Sequence, residues 1–244
     1  MIPQYTVARV LGTWAAAAVP MGVVAWVGAP LLARAFDGDT AFARALILAL
    51  VAGLLWQFVL VLLLVRREQG TLRWPTVRRA LWLQAPVSPR TGRRGGRVWW
   101  VLLPMTLLFA SEQFIPLLPH PLNHDFSALL DSDAGHAMFS GGILWPAIVL
   151  VMMVLNTVLG EELLFRGLLL PRMSGAFGRL DWLANGVLFA CYHLHQPWTI
   201  PGALVDTFAL AYPARRYRSA VLSIIVHSSQ TVFFAVAAAA LLLG

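Results

Sequence analysis

The chain has 244 residues, of which 59% are apolar and 12% charged, with a mean hydropathy of +0.73. A soluble domain of this size cannot bury so much apolar surface, so the composition excludes an ordinary soluble globular protein. The net charge of +7 rests on eighteen arginines and no lysine. Because membrane topology itself requires a cytoplasmic excess of basic residues, we expect a lipid bilayer and no nucleic acid as the partner of this charge.

Seven apolar stretches predict an all-α fold, a polytopic transmembrane helix bundle with the site in its last four spans. In chain order the stretches cover residues 10–33, 41–65, 98–118, 142–170, 182–196, 199–212 and 219–243. Crossing the hydrocarbon core takes about twenty helical residues. The fifth and sixth stretches are shorter, so we expect them to be tilted, partly re-entrant or embedded in the bundle. We divide the chain into an N-terminal two-span region with a basic cytoplasmic connector, residues 1–97, and a helical core, residues 98–244.

The arginines predict the topology. If every stretch crosses, sixteen of the eighteen fall on one side, and Arg34 and Arg44 lie on the other. This bias predicts an integral membrane protein with its N-terminus in the cytoplasm and its C-terminus outside. The all-arginine, alanine-rich composition favours a bacterial inner membrane. The basic connector, residues 66–97, is either a solvated loop or a segment that lies along anionic lipid headgroups.

The long loop over residues 119–141, predicted to be external, carries six polar groups that could ligate a metal. They are His120, His124, Asp125, Asp131, Asp133 and His136. Their spacing matches no compact ligand pattern, so the sequence favours an ordinary polar loop in water over a metal site.

Ionisable residues inside membrane spans are costly and mark function by default. The fourth span carries Glu161, Glu162 and Arg166 in GEELLFRG, the fifth carries His193 and His195, and the last carries His227 in IIVHSSQT. At about 1.5 Å of rise per residue, Glu161 lies about 14 Å from the cytoplasmic end of its span. The same rise places His193 about 17 Å and His227 about 12 Å deep. Three polar groups on three helices are therefore expected at one level.

Helical spacing then assigns partners. Glu162 and Arg166 are four residues apart and share a face, which predicts an ion pair. Glu161 points about 100° away, so it is the carboxylate left free to act as a base. His195 would face nearly opposite to His193 and is the weaker candidate for the site.

A carboxylate and two imidazoles at one depth are compatible with more than one chemistry. They can activate a water and stabilise a tetrahedral oxyanion, which gives amide hydrolysis. The metal alternative has Glu161, His193 and His227 bind zinc, with water as the fourth ligand. Carboxylate and histidine relays also serve ion or proton pathways, so the residues alone leave hydrolase, translocating protein and non-catalytic membrane protein open.

At these residues the chain resembles the CPBP family of CAAX-protease and bacteriocin-processing membrane proteases, also called the Abi family. Its first motif, a Glu-Glu pair followed by Arg after three residues, is met by Glu161, Glu162 and Arg166. Its second, Phe-x-x-x-His, is met by Phe189 and His193. The third is His followed four residues later by Asn or Asp. Its first position is met by His227, but a threonine, residue 231, stands at the second. The motifs span residues 142–243.

The resemblance implies an intramembrane endopeptidase that acts on a peptide or protein substrate and whose cavity opens to the cytoplasmic side. It implies that Glu161 and His193 activate the water and that His227 and Thr231 line the oxyanion site. Glu162 and Arg166 would position Glu161. The family has been described both as zinc-dependent and as glutamate-type, and we favour the glutamate type without a cofactor. Because a threonine side chain is shorter than asparagine, the neighbouring Gln230 is a substitute donor.

Overall fold

The structure, a computed structural model, describes residues 2–243, with the side chains of 127, 233, 234, 237, 238 and 240–243 excepted. Met1 and Gly244, the outer limits of the two predicted regions, lie outside the described residues. Within the described residues the regular structure is helical, and β-type pairing is limited to an isolated antiparallel bridge between Val87 and Arg94. The all-α prediction is confirmed.

The helices follow one another with short connections apart from the basic connector and the 115–132 segment. In chain order they are α1 (Val7–Ala33), α2 (Ala41–Gln69), α3 (Trp74–Ala80), α4 (Leu102–Ala110), α5 (Phe126–Leu130), α6 (Asp133–Ser140), α7 (Leu144–Arg172), α8 (Ser174–Phe177), α9 (Asp181–Tyr192), α10 (Ile200–Ala203), α11 (Tyr212–Tyr217) and α12 (Ala220–Leu243). Short 3-10 segments, Gly96–Val101 and Ser111–Phe114, extend α4 at both ends. A π-helical segment, Thr207–Ala211, precedes α11.

Three of the described helices, α1, α2 and α7, are long and apolar enough to cross a membrane. They correspond to the first, second and fourth predicted spans. The third predicted span is divided into 3-10, α and 3-10 pieces, and the fifth ends at Tyr192. The sixth is a chain of short helical pieces that continues to Tyr217. The total of seven crossings and the boundary at residue 97 therefore stay predictions.

Several helices begin or end at residues that satisfy free backbone groups or turn the chain. Thr6 caps α1, because its hydroxyl accepts from the backbone N–H of Arg9. Gly70 ends α2 in the left-handed conformation at φ 69°, and its N–H donates to the carbonyl of Arg66, as a C-terminal glycine cap does. Arg218 takes the left-handed conformation at φ 49° and turns the chain from α11 into α12.

A charged network joins the start of α1 to the ends of α2 and α7. Glu68 accepts hydrogen bonds from Tyr5, from Arg9 at 2.8 Å and from Nε of Arg172 at 2.9 Å. Burial, followed by the hydrogen bond to Glu68, raises the pKa of Tyr5 to about 12. These three chain regions thus lie at one end of the molecule, as the one-sided arginine distribution predicts.

The helices α1, α2, α7 and α9 share one buried apolar cluster that includes Met21, Leu54, Leu164 and Phe189. The outer surface is apolar as well: Leu63 is 55% exposed and Leu107 is 65% exposed. Large apolar side chains turned outward over long helices are what a surrounding bilayer accommodates. The arrangement matches that of an integral membrane bundle with a packed interior.

Candidate functional site

The adjacent carboxylates Glu161 and Glu162 lie at the middle of α7, between two π-helical segments, Leu155–Gly160 and Leu163–Leu169. π-Helical turns are rare and are found mostly at functional sites. Gly160 lets α7 approach α2 here, since a Cβ would lie 3.1 Å from a side-chain carbon of Leu54. The expected 100° rotation between the two carboxylates assumed a regular α-helix, whereas the local helix is wider.

Glu162 is the central acceptor of the site. Its Oε1 accepts from Nη1 of Arg166 at 3.0 Å and from Nδ1 of His227 at 2.9 Å. The i,i+4 ion pair therefore forms where the sequence predicts it, with both side chains fully buried. The bond to His227 was not expected, and it ties α12 to α7 through the same carboxylate.

The ring of Phe189 contacts the imidazoles of both His193 and His227. The guanidinium of Arg166 lies 4.0 Å above the centre of its ring, a cation–π contact. The rings of His193 and His227 lie edge to face with it at 5.0 Å and 6.2 Å. The carbonyl of Phe189 also accepts from Nδ1 of His193 at 3.0 Å, which leaves Nε2 of that histidine as its unprotonated nitrogen. The Phe-x-x-x-His spacing thus sets both the position and the tautomer of His193.

Glu161, unlike Glu162, forms no ion pair with an arginine among the described residues. It is 2% exposed and lines the central cavity, and its Oε2 has no hydrogen-bond partner among the described residues. Nε2 of His227 lies 3.9 Å from that oxygen. The distance leaves room for a small shift or a bridging water, so Glu161 is positioned to act on a molecule in the cavity.

The placement of His195 differs from the sequence argument. Because α9 ends at Tyr192, neither His193 nor His195 belongs to a regular helix, and helical spacing does not apply to them. Their rings stack with centres 5.5 Å apart, and both line the cavity. His195 is therefore a neighbour of the site and does not face away from it.

Thr231 does not line the cavity, whereas Ser229 and Gln230 do. The Thr231 hydroxyl lies 3.1 Å from that of Thr157 on α7. The expectation that residue 231 points into the same cavity as His227 is not met, because its side chain is used to join α12 to α7. Of the two candidate oxyanion donors, Gln230 is the one with access to the cavity.

The cavity has a volume of about 960 Å³. From Glu161, His193 and His227 it extends to the first residues of α2 and to the 115–132 segment. That end is opposite to the Glu68 network, so the arginine distribution assigns it to the external side. The resemblance implied a cytoplasmic opening, and this expectation and the arginine-based topology cannot both hold.

Four further side chains at the site were not predicted from the sequence. Glu112 and Asp206 line the cavity. Tyr192 and Gln57 are fully buried, hydrogen-bond to each other, and bring α9 and α2 together beside Glu161. The signal for the two acids was present, because each falls inside a predicted membrane span, where a charge marks function by default.

No group of three His, Cys, Asp or Glu side chains among the described residues has the geometry to hold a metal ion. This applies to the alternative set Glu161, His193 and His227, and also to the outer loop. In that loop, His120 pairs with Asp125 at 2.9 Å, which raises the pKa of His120. His124 stacks on Trp26 with ring centres 4.4 Å apart, and burial lowers its pKa.

Comparison with known proteins adds one match. A family model described as type II CAAX prenyl endopeptidase Rce1-like matches residues 143–233, a range that holds all six predicted site residues. No curated protein and no solved structure matches the chain significantly. The predicted resemblance is confirmed over residues 143–233, which are similar to the type II CAAX prenyl endopeptidase Rce1-like family. Together with the apolar helices, the match indicates an integral membrane protein and supports an intramembrane protease of the CAAX type.

Proposed function

We propose that this chain is a glutamate-type intramembrane endopeptidase in which Glu161 activates the attacking water. The observation that carries the proposal is that the adjacent carboxylates differ in their contacts and in their access to the cavity. Glu162 is occupied by Arg166 and His227, whereas Glu161 is buried, faces the cavity and has an oxygen without a partner among the described residues. A general base must reach the proton that it removes, and only Glu161 of the two lines the cavity.

In the proposed reaction, a water in the cavity loses a proton to Glu161 as its oxygen bonds to the substrate carbonyl carbon. The unprotonated Nε2 of His193 accepts a hydrogen bond from the same water and orients it. Collapse of the tetrahedral intermediate breaks the C–N bond, and Glu161 passes its proton to the leaving nitrogen. The products are a carboxylate and an amine.

His227 is the proposed oxyanion donor. Its Nδ1 donates to Glu162, and a carboxylate at that nitrogen stabilises the imidazolium form, in which Nε2 carries a proton. A charged donor near the cavity would stabilise the developing negative oxygen. Gln230, which lines the cavity, supplies a second N–H donor. Arg166 is a positioning residue, since it holds Glu162 and stacks on Phe189 without lining the cavity.

The proposal is tested by comparative peptidomics of membranes that contain either the wild-type chain or Glu161→Gln. We expect peptides that accumulate with the wild type and are absent with the variant at equal expression. Asp131→Asn, a carboxylate-to-amide change in the outer loop, is the matched control and should leave the peptides unchanged. Identical peptidomes for wild type and Glu161→Gln would remove Glu161 from the chemistry.

Two further measurements separate the alternative chemistries. Activity that survives dialysis against a chelator supports a glutamate-type mechanism. One equivalent of zinc that is lost in His193→Ala, together with loss of activity on chelation, would establish the metalloprotease instead. Gradient-driven proton or ion flux in proteoliposomes, abolished by Glu161→Gln and unaccompanied by any peptide product, would assign the chain to translocation.

A further inference from the structure

The charge of the central cavity is opposite to that of the protein. The chain as a whole carries +7, yet no arginine is among the described residues that line the cavity, whereas five of the eleven acidic residues are. They are Asp39, Glu112, Asp125, Glu161 and Asp206. Glu161 is assigned to water activation and Asp125 pairs with His120, so Asp39, Glu112 and Asp206 need a separate explanation.

Glu112 and Asp206 form a pair on the cavity wall. Glu112 lies in the 3-10 segment after α4, and it packs against Gly202, where a Cβ would lie 3.1 Å from its Oε1. Asp206 follows Gly202 by four residues, and both carboxylates line the same cavity as His227. The pair therefore lies beside the proposed oxyanion site.

Asp206 has an oxygen without a hydrogen-bond partner among the residues that the structure describes. Its side chain is 3% exposed, and Oδ1 accepts no hydrogen bond from any described residue. Arg166 is close enough to influence it, but its guanidinium is held by Glu162 and stays outside the cavity lining. A buried carboxylate oxygen that accepts no hydrogen bond is costly, and a neighbouring carboxylate raises that cost. A cationic ligand between them would remove the penalty.

We propose that Glu112 and Asp206 bind a cationic group of the substrate, namely a lysine or arginine side chain next to the scissile bond. This inference rests on the proposed peptidase function and deepens it by naming the substrate class. The cavity is otherwise largely apolar, with Met21, Leu54 and Phe109 in its wall, so it fits an apolar peptide segment that carries one basic residue. The acid pair would fix the register of that segment relative to Glu161 and His227.

Binding of peptides to Glu161→Gln protein in lipid nanodiscs tests the pair independently of cleavage. The probes are two fluorescent apolar peptides that differ at one position, lysine in one and norleucine in the other. A charge-assisted contact of this kind contributes about 10- to 100-fold in affinity. We expect the lysine peptide to bind more tightly by that factor, and the ratio to fall to near one with Asp206→Asn plus Glu112→Gln.

Two controls make the binding result specific. Asp39→Asn neutralises an exposed acid on the outer part of the same cavity and should leave the ratio unchanged. Gly202→Ala keeps every charge but places a Cβ 3.0 Å from Cγ of Glu112, so it should reduce the ratio by displacing that side chain. If the double substitution prevents folding, Gly202→Ala and the single Asp206→Asn provide the test.

The outcomes separate this inference from the proposed function. Equal affinity for the two peptides, or a lysine preference that survives the double substitution, overturns the role of the pair. In either case, loss of cleavage by Glu161→Gln would still support the peptidase. Conversely, a lysine preference that depends on Glu112 and Asp206, in a chain that cleaves no peptide, would show a cationic-peptide site and refute only the peptidase.

Discussion

Replacing each of the adjacent glutamates by glutamine should have opposite consequences for stability. In Glu162→Gln, the Arg166 guanidinium stays fully buried but loses its counter-charge, and His227 loses its carboxylate acceptor. In Glu161→Gln, no arginine pair is broken, and a costly buried charge with an unpartnered oxygen is removed. Both variants are expected to lose activity, whereas only Glu162→Gln is expected to lose stability.

The size of the difference follows from burial. Removing one partner of a fully buried ion pair typically costs about 3–5 kcal/mol. For a chain of this length each kcal/mol shifts the unfolding midpoint by about 2–4 °C, so we expect a drop of roughly 6–20 °C for Glu162→Gln. The Glu161→Gln midpoint should equal or exceed that of the wild type.

Thermal unfolding in detergent, followed by intrinsic tryptophan fluorescence, measures both midpoints, since the chain has ten tryptophans. The matched control is the double variant Glu162→Gln, Arg166→Met. The double variant leaves no uncompensated buried charge at this pair, glutamine can still accept from His227, and methionine can pack on Phe189. The double variant should therefore recover most of the lost midpoint while staying inactive. Equal midpoints for the two single variants, or no recovery in the double variant, would refute this account of Glu162.

Three other predictions follow from the structure. Gln230→Ala should reduce turnover by about 10²–10³-fold, the usual effect of removing an oxyanion donor, whereas Thr231→Val should reduce turnover much less. Steady-state cleavage rates of the two variants measure the difference, and a larger loss for Thr231→Val would restore Thr231 as the donor. Gly186→Ala should lower the unfolding midpoint, because its Cβ would lie 2.2 Å from a threonine hydroxyl oxygen on the facing π-helical segment; an unchanged midpoint would contradict that packing. Reporter fusions after Arg97 should read cytoplasmic and those near Asp131 external, and the opposite reading would restore a cytoplasmic opening of the cavity.

The long helices were predictable because their sequence signals are redundant. Continuous apolar runs bounded by arginines and Gly70 give α2 and α7 to within a few residues, and the spacing of Glu162 and Arg166 gives their ion pair. The π-helical segments around Glu161 were not predictable, because an α-helix and a π-helix differ in which backbone carbonyl accepts from each N–H, and the apolar pattern of the sequence does not reveal this. The sequence therefore indicated which helices carry the candidate site residues, but not the local geometry of α7 around them.

The misplacement of His195 and Thr231 has a similar cause. No glycine or proline marks the end of α9 at Tyr192, and the first proline comes only at Pro197. Thr231 does lie one helical turn from His227, but spacing along one helix does not reveal that Thr157 lies opposite. Side-chain partners on distant helices depend on packing, which a single sequence does not specify.

The Glu68 network has a consequence for how the chain is built. Arg172, its fully buried member, follows Glu68 by 104 residues. At synthesis rates of about 5–20 residues per second, Arg172 is synthesised roughly 5–20 s after Glu68. During this interval Tyr5 and Arg9 are the members of the network that have already been synthesised, so α1 and α2 exist before the network is complete. Synthesis of the end of α7 then supplies Arg172, so the packing of α7 and the fixing of the N-terminal segment are coupled through Glu68.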